Sequence, residues 1–326
     1  MRRLFTTIVV LALLGSAGSA LAQHRPEDTL AAVIGVQARI QPNARSVETL
    51  GTQRRGTGAL IRDGYVLTIG YLVIEAEAIQ LTGADGRTVP ATVAAYDHAS
   101  GFALLRVVGS LKAKPLVLGD STALAEREPG LVIPAPAREA PTLVHVVSRR
   151  PFSGSWEYML DSAIFTYPPV DNWSGAPLIG AKGELLGIGS LIVPDAGAPG
   201  TQSPGNMFVP VELIKPILDE LINDGRRRGP ARPWLGVNAD ELRGHLFISR
   251  VSPDGPAERA GLRAGDIVVA VSGEHVSTLA EFYSKIWGRG GAGVEVPIRV
   301  LQGAQLRDVS VRSIDRVDYF RASKTY

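Results

Sequence analysis

The sequence predicts a mainly β protein, with a long region of many short strands in a barrel or sandwich followed by a small α+β domain. Two textures along the 326 residues predict this. From about residue 29 to 210, short apolar runs recur at 32–40, 58–61, 65–68, 92–95, 103–108, 130–133, 142–147, 185–192 and 207–209. Most are bounded by Gly, Pro, Asp or Asn, the pattern of strands joined by tight turns. After Pro233, runs at 246–251, 267–271 and 294–300 read as strands, with helical segments at 257–260 and 279–287 among them. Five or six strands with two helices make a small α+β domain.

The elements follow in order. Arg2 and Arg3, the apolar stretch 4–14 and Ala20-Leu21-Ala22 read as a signal peptide over 1–22, cleaved after Ala22. Its apolar run is shorter than the ~20 residues a spanning helix needs. The mature chain is therefore expected to be exported, with no membrane span. It holds no cysteine, so thiol catalysis and thiolate metal sites are excluded and stability must come from packed cores. Losing Arg2 and Arg3 leaves 32 basic against 32 acidic residues, which gives a nucleic-acid partner no electrostatic support. The segment 211–221 carries Leu213, Ile217 and Leu221 at helical spacing, although Pro216 lies inside it. Arg226-Arg227-Arg228, set between Gly225 and Gly229-Pro230, reads as a solvated linker. The expected division is a first domain at 29–224, a linker at 225–232, a second domain at 233–315 and a loose tail at 316–326.

Several strings, in order, resemble the HtrA/Deg family of trypsin-like serine proteases. They are Gly56-Thr57-Gly58-Ala59-Leu60-Ile61, Gly64-Tyr65-Val66-Leu67-Thr68, the stretch 97–104, Leu118-Gly119-Asp120-Ser121 and Ser174-Gly175-Ala176-Pro177-Leu178. Gly183-Glu184-Leu185-Leu186-Gly187-Ile188, Phe208-Val209-Pro210 and Trp234-Leu235-Gly236-Val237 continue the series. The resemblance implies a chymotrypsin-like pair of six-stranded β-barrels with an active site between them, then a PDZ domain. It also implies a periplasmic or other extracytoplasmic location and a homotrimer.

The departures bear on function. A serine hydroxyl needs an imidazole to take its proton and a carboxylate to orient that imidazole. The family's histidine falls where this sequence has Tyr71, and its aspartate where it has Gly101; Ser174 keeps the nucleophile position. A phenol loses its proton only above ~10 and is a very weak base at neutral pH. Removing the histidine from a triad costs ~10⁶ in turnover, taking ~10 per second to about one per day. The oxyanion hole would use the backbone N–H groups of Asn172 and Ser174, where the family has glycine and then asparagine at the positions of Asn172 and Trp173. Trp173 either blocks or binds a peptide at the cleft mouth, or packs beside Tyr71 in the emptied histidine site.

His98, beside Asp97, is either half of a relocated His–Asp pair or an exposed turn residue. His145 reads as packed on a strand, His245 and His275 fall in the second domain, and His24 precedes the first. No paired histidine spacing and no phosphate loop point to a metal or cofactor.

A PDZ domain adds a C-terminal peptide as a strand and holds its carboxylate with loop N–H groups. The resemblance puts that loop at Trp234, Leu235, Gly236 and Val237. Leu279, Phe282 and Ile286 share a helix face, and Phe282 and Ile286 would line the pocket for the peptide's last side chain or else fill the core. Three functions stay open. One is a proteolytically inactive homologue that binds unfolded or C-terminal peptides in a chaperone-like or regulatory role. A second is an active endopeptidase using Ser174 with a replaced base, and a third is a structural envelope protein with both sites vestigial.

Overall fold

A computed structural model describes residues 25–134 and 140–321. The expected signal peptide and His24 lie outside them. After a short helix α1 (Pro26–Ala31), six strands close into a first barrel: β1 (Val33–Ile40), β2 (Gln53–Arg62), β3 (Tyr65–Ile69), β4 (Ala76–Thr82), β5 (Thr88–Asp97) and β6 (Phe102–Val107). They pair in the order β1-β2-β3-β6-β5-β4, and β1 returns to β4. A one-turn helix α2 (Val47–Leu50) lies between β1 and β2. The second barrel holds β7 (Pro129–Val132), β8 (Thr142–Gly154), β9 (Tyr158–Tyr167), β10 (Pro177–Ile179), β11 (Leu185–Val193) and β12 (Gly205–Pro210), in the order β10-β11-β12-β9-β8-β7. Closure leaves no unpaired edge in either barrel. Val132, Val144, Val146, Ile164, Leu178 and Phe208 fill part of the second interior.

The single helix expected over 211–221 is instead two short 3₁₀ turns followed by α3 (Leu218–Asp224). Pro216 has no N–H to donate and its ring crowds the preceding turn, so regular α geometry starts only after it. Gly225 ends α3 in a left-handed conformation, φ +69°.

The C-terminal domain holds β13 (Val237–Leu242), β14 (His245–Val251), β15 (Ile267–Val271), β16 (Glu274–His275), β17 (Glu295–Gln302) and β18 (Gln305–Arg312), with helices α4 (Pro256–Arg259) and α5 (Leu279–Trp287). Thr278 caps α5 by accepting from the Glu281 N–H at 3.2 Å, and Glu281 reaches back to the Ser277 N–H. Leu279, Phe282, Tyr283 and Ile286 bury the inner face of α5.

Two expectations about surface segments need correction. Residues 316–321 are not a loose tail but a helix, α6 (Arg316–Arg321). Tyr319 anchors it, packing its ring at 45° against Trp234, lying under Arg45 and donating to the Pro253 carbonyl. The arginine run is not merely solvated. Arg227 pairs with buried Asp97 at 2.9 Å, and Arg228 with Asp224 at 2.7 Å.

Candidate functional site

Ser174 sits in a tight loop between β9 and β10, held against the first barrel. The Thr57 N–H on β2 donates to its carbonyl at 2.8 Å. The next residue, Gly175, has φ +74°, and a Cβ there would lie 1.9 Å from the Thr57 carbonyl oxygen, so only glycine fits. Tyr71 sits in the 3₁₀ turn after β3. Arg54 on β2, 5 % exposed, fixes that turn by donating to the Tyr71 and Ile74 carbonyls at 2.8 and 3.1 Å. Burial lowers the Arg54 pKa to about 10, opposed by the nearby Glu75 charge, so it remains a cation at neutral pH.

The Tyr71 and Ser174 hydroxyl oxygens are 2.7 Å apart, and Tyr71 donates to the Ser190 carbonyl at 2.8 Å. A phenol has a single proton. With that proton directed to the Ser190 carbonyl, Ser174 donates its own to the phenol oxygen. Burial pushes the Tyr71 pKa up to about 12, with bonds from Ser174 and Trp173 opposing, so the phenolate is negligible near neutrality. Trp173 Nε1 also donates to the Ser190 carbonyl, at 3.3 Å. The indole therefore packs beside Tyr71.

Gly101 follows a turn capped by Asp97, whose carboxylate accepts from the Ser100 N–H and Oγ. A Cβ at Gly101 would lie 3.2 Å from the Tyr158 hydroxyl and 3.3 Å from its ring, so the phenol of Tyr158 on β9 occupies the space a carboxylate there would need. Tyr158 donates to the Ser100 carbonyl at 2.6 Å. Burial would raise the Asp97 pKa, but bonds from Arg227 and Ser100 outweigh it and hold the carboxyl below its ordinary range.

His98 lines the same cleft as Tyr71 and Ser174 but bonds to neither. His98 is half-buried rather than exposed, its ring 4.2 Å from that of Tyr96 and 6.2 Å from that of Phe320. Burial, with Arg316 nearby, holds it well below the ordinary imidazole value. His145 is exposed on β8 rather than packed, and His245 and His275 are exposed on the C-terminal domain. Ser174 bonds to Tyr71 and to no imidazole among the described residues. Asn172 is exposed at the loop tip. Among the described residues, no group of three or more His, Cys, Asp or Glu could hold a metal ion.

A cleft of about 1080 Å³ runs from Tyr71, Trp173 and Ser174 past Trp156 and Tyr158 to Trp234 and α6. At its far end the N–H groups of Leu235, Gly236 and Val237 converge on the Glu157 carboxylate, at 3.0, 2.7 and 3.0 Å. Burial raises the Glu157 pKa, while these donors and Arg316 oppose the rise. Phe282 and Ile286 are fully buried in the domain core, and Tyr283 is the α5 residue whose hydroxyl bonds to the second barrel.

Residues 56–188 match the model of the trypsin-like peptidase domain, and 247–299 that of the PDZ domain. The chain carries both domains. A probable periplasmic serine protease do/HhoA-like of Haemophilus influenzae is 29 % identical over 277 residues, 79 % of this chain and 57 % of that protein. The periplasmic pH-dependent serine endoprotease DegQ of Escherichia coli is 28 % identical over 273 residues, 78 % and 58 % of the two chains. These relatives support the HtrA family, and the chain spans a little over half their length. The fold is similar to that of the HtrA-type protease AlgW with decapeptide, at TM-score 0.54 and 21 % identity over 89 % of this chain and 97 % of that one. It is also similar to a serine endoprotease from Yersinia pestis, at TM-score 0.53 and 22 % identity over 89 % and 97 %.

Arg54, Glu157, Tyr158 and Ser190 escaped the sequence reading. Only the aromatic cluster Trp156-Glu157-Tyr158 after Gly154 hinted at something beyond a turn, and its partners lie far along the chain.

Proposed function

We propose that this chain is an exported HtrA-type protease homologue that binds peptide or protein segments in a chaperone-like or regulatory role without efficient hydrolysis. Its peptidase unit, 29–224, is read as a chymotrypsin-like double barrel, joined by 225–232 to a PDZ unit at 233–315. The observation that carries the reading is the 2.7 Å contact between Tyr71 and Ser174, in which the only base-position partner of the serine hydroxyl, among the described residues, is a phenol oxygen. That oxygen accepts the bond without accepting the proton, so no serine alkoxide forms at a useful rate. Gly101 offers no carboxylate, and Tyr158 fills its place. The expected loss is the ~10⁶ that follows removal of a triad histidine.

The cleft nevertheless keeps the attributes of a peptide site: aromatic walls from Trp156, Trp173 and Tyr158, and a serine at its floor. The N–H groups of Asn172 and Ser174 remain the candidate oxyanion donors. Periplasmic relatives and the 1–22 leader support export, and among the described residues no helix is long and apolar enough to cross a membrane. A homotrimer is part of the proposal on the family resemblance.

The test is a fluorophosphonate probe on the full chain, alongside cleavage of an unfolded casein. We expect no labelling of Ser174 above the Ser174→Ala background and no casein loss that Ser174→Ala abolishes. Labelling at the rate of an active relative would mean a working endopeptidase with a replaced base.

A further inference from the structure

The hairpin joining β8 to β9 reaches out of the second barrel into the C-terminal domain. Residues 154–157 lie between β13 and α5, the two elements that flank a peptide in strand addition. Both oxygens of Glu157 are used: Oε1 accepts from Gly236 at 2.7 Å and Val237 at 3.0 Å, and Oε2 from Leu235 at 3.0 Å. Two residues earlier, the Ser155 carbonyl accepts from the Ala239 N–H at 2.9 Å, two residues beyond Val237. That spacing is the one an added antiparallel strand makes. From the other wall, Tyr283 on α5 donates to the Gly154 carbonyl at 2.7 Å and accepts from the Glu157 N–H at 3.2 Å. Arg316 donates to the Trp156 carbonyl at 3.2 Å. Glu157 is 5 % exposed and holds φ +54°, a left-handed conformation unusual for a glutamate.

We propose that residues 154–157 are the built-in ligand of the PDZ groove, with the Glu157 side-chain carboxylate standing where a peptide's C-terminal carboxylate would bind. A partner's free C-terminus, entering as an extended strand, binds by displacing this hairpin. Displacement also reaches the peptidase cleft. The residue after Glu157 is Tyr158, whose ring fills the space at Gly101 and whose hydroxyl holds the Ser100 carbonyl. Groove occupancy and the shape of the cleft wall are thereby coupled through one residue step. The inference rests on the PDZ assignment and not on the state of Ser174, so it and the labelling experiment fail separately.

Hydrogen–deuterium exchange on the full chain tests the contact. Residues 234–240 are expected to exchange slowly in the native protein and at least about tenfold faster in Glu157→Ala, with β17 and β18 unchanged. No acceleration at 234–240 overturns the proposal. Should Glu157→Ala loosen β17 and β18 as well, Glu157→Gln keeps the shape and removes the charge. It is expected to give a smaller rise confined to 234–240, and no rise again overturns the assignment. An array of decapeptides with free and with amidated C-termini tests displacement. Glu157→Ala is expected to bind free-carboxyl peptides about tenfold more tightly than the native chain and to ignore the amidated ones. Equal binding by the two chains, or binding by neither, defeats the proposal.

Discussion

The peptidase cleft and the PDZ groove differ in opposite ways on the proposed reading: the cleft stays open but lacks a base, while the groove keeps its donors but is filled. Hydrolysis in such a cleft depends on side chains, so on the proposed reading a tyrosine for an imidazole at Tyr71 and a hydrogen for a carboxylate at Gly101 would remove it. The groove is a machine of backbone N–H groups. No substitution at Leu235, Gly236 or Val237, short of proline, deletes a donor. Its three donors persist, and the Glu157 carboxylate accepts from all of them.

The largest test of that contrast rebuilds the cleft. Tyr71→His with Gly101→Asp alone should leave fluorophosphonate labelling near background, because the phenol of Tyr158 stands 3.2 Å from the new Cβ. Adding Tyr158→Ala should raise labelling by ~10² or more, the scale of general-base assistance. If the double variant labels as fast as the triple, Tyr158 is no obstacle and the contrast weakens.

The next effect concerns the tie between linker and barrel. Arg227→Ala leaves the Asp97 carboxylate, 5 % exposed, with Ser100 as its one hydrogen-bond partner among the described residues, and should cost about 1–3 kcal/mol in urea denaturation at pH 7. The Asp97 pKa is lower folded than unfolded, so its stabilisation is full above the unfolded value and fades as pH falls through the folded one. Native and variant urea midpoints should therefore converge as pH falls below the ordinary carboxylate range. A constant difference down to acid would assign the cost to packing by Arg227 instead.

A smaller loss, about 1 kcal/mol, is expected for Tyr158→Phe, which removes the bond to the Ser100 carbonyl while keeping the ring. Its urea m-value should be unchanged; a changed m-value would show that the hydroxyl holds the hairpin closed. Smallest is Tyr71→Phe, below about 1 kcal/mol, because Trp173 Nε1 still satisfies the Ser190 carbonyl. A larger cost would mean that the Tyr71–Ser174 contact carries structural weight.

Sequence patterns reached the parts of the molecule governed by local rules. Helix α5 was legible at its full length because Thr278 and Glu281 cap it and Leu279, Phe282 and Ile286 fall on one face. Tyr71, Gly101 and Ser174 were singled out through their flanking strings, and the structure places the Tyr71 and Ser174 hydroxyls 2.7 Å apart. Strand β4 was not, since its Ala and Glu residues are poor strand formers and its place is set by pairing with β1 and β5. Strand β9 was hidden because Ala163, Ile164, Phe165 and Thr166 are all buried, which erases alternation. Glu157 was out of reach because its carboxylate meets Leu235 across 78 residues of chain. The arginine run misled for the same reason: Asp97 lies 130 residues before Arg227.

Glu157 and Tyr158 are consecutive, yet one serves the C-terminal domain and the other the space beside Gly101. A single-residue deletion anywhere in 154–157 would have to shift one of them out of place, opening the groove or emptying the wall of the cleft, and would shift both if the slip passed through the turn. The length of that turn is therefore under a constraint that neither domain alone would impose.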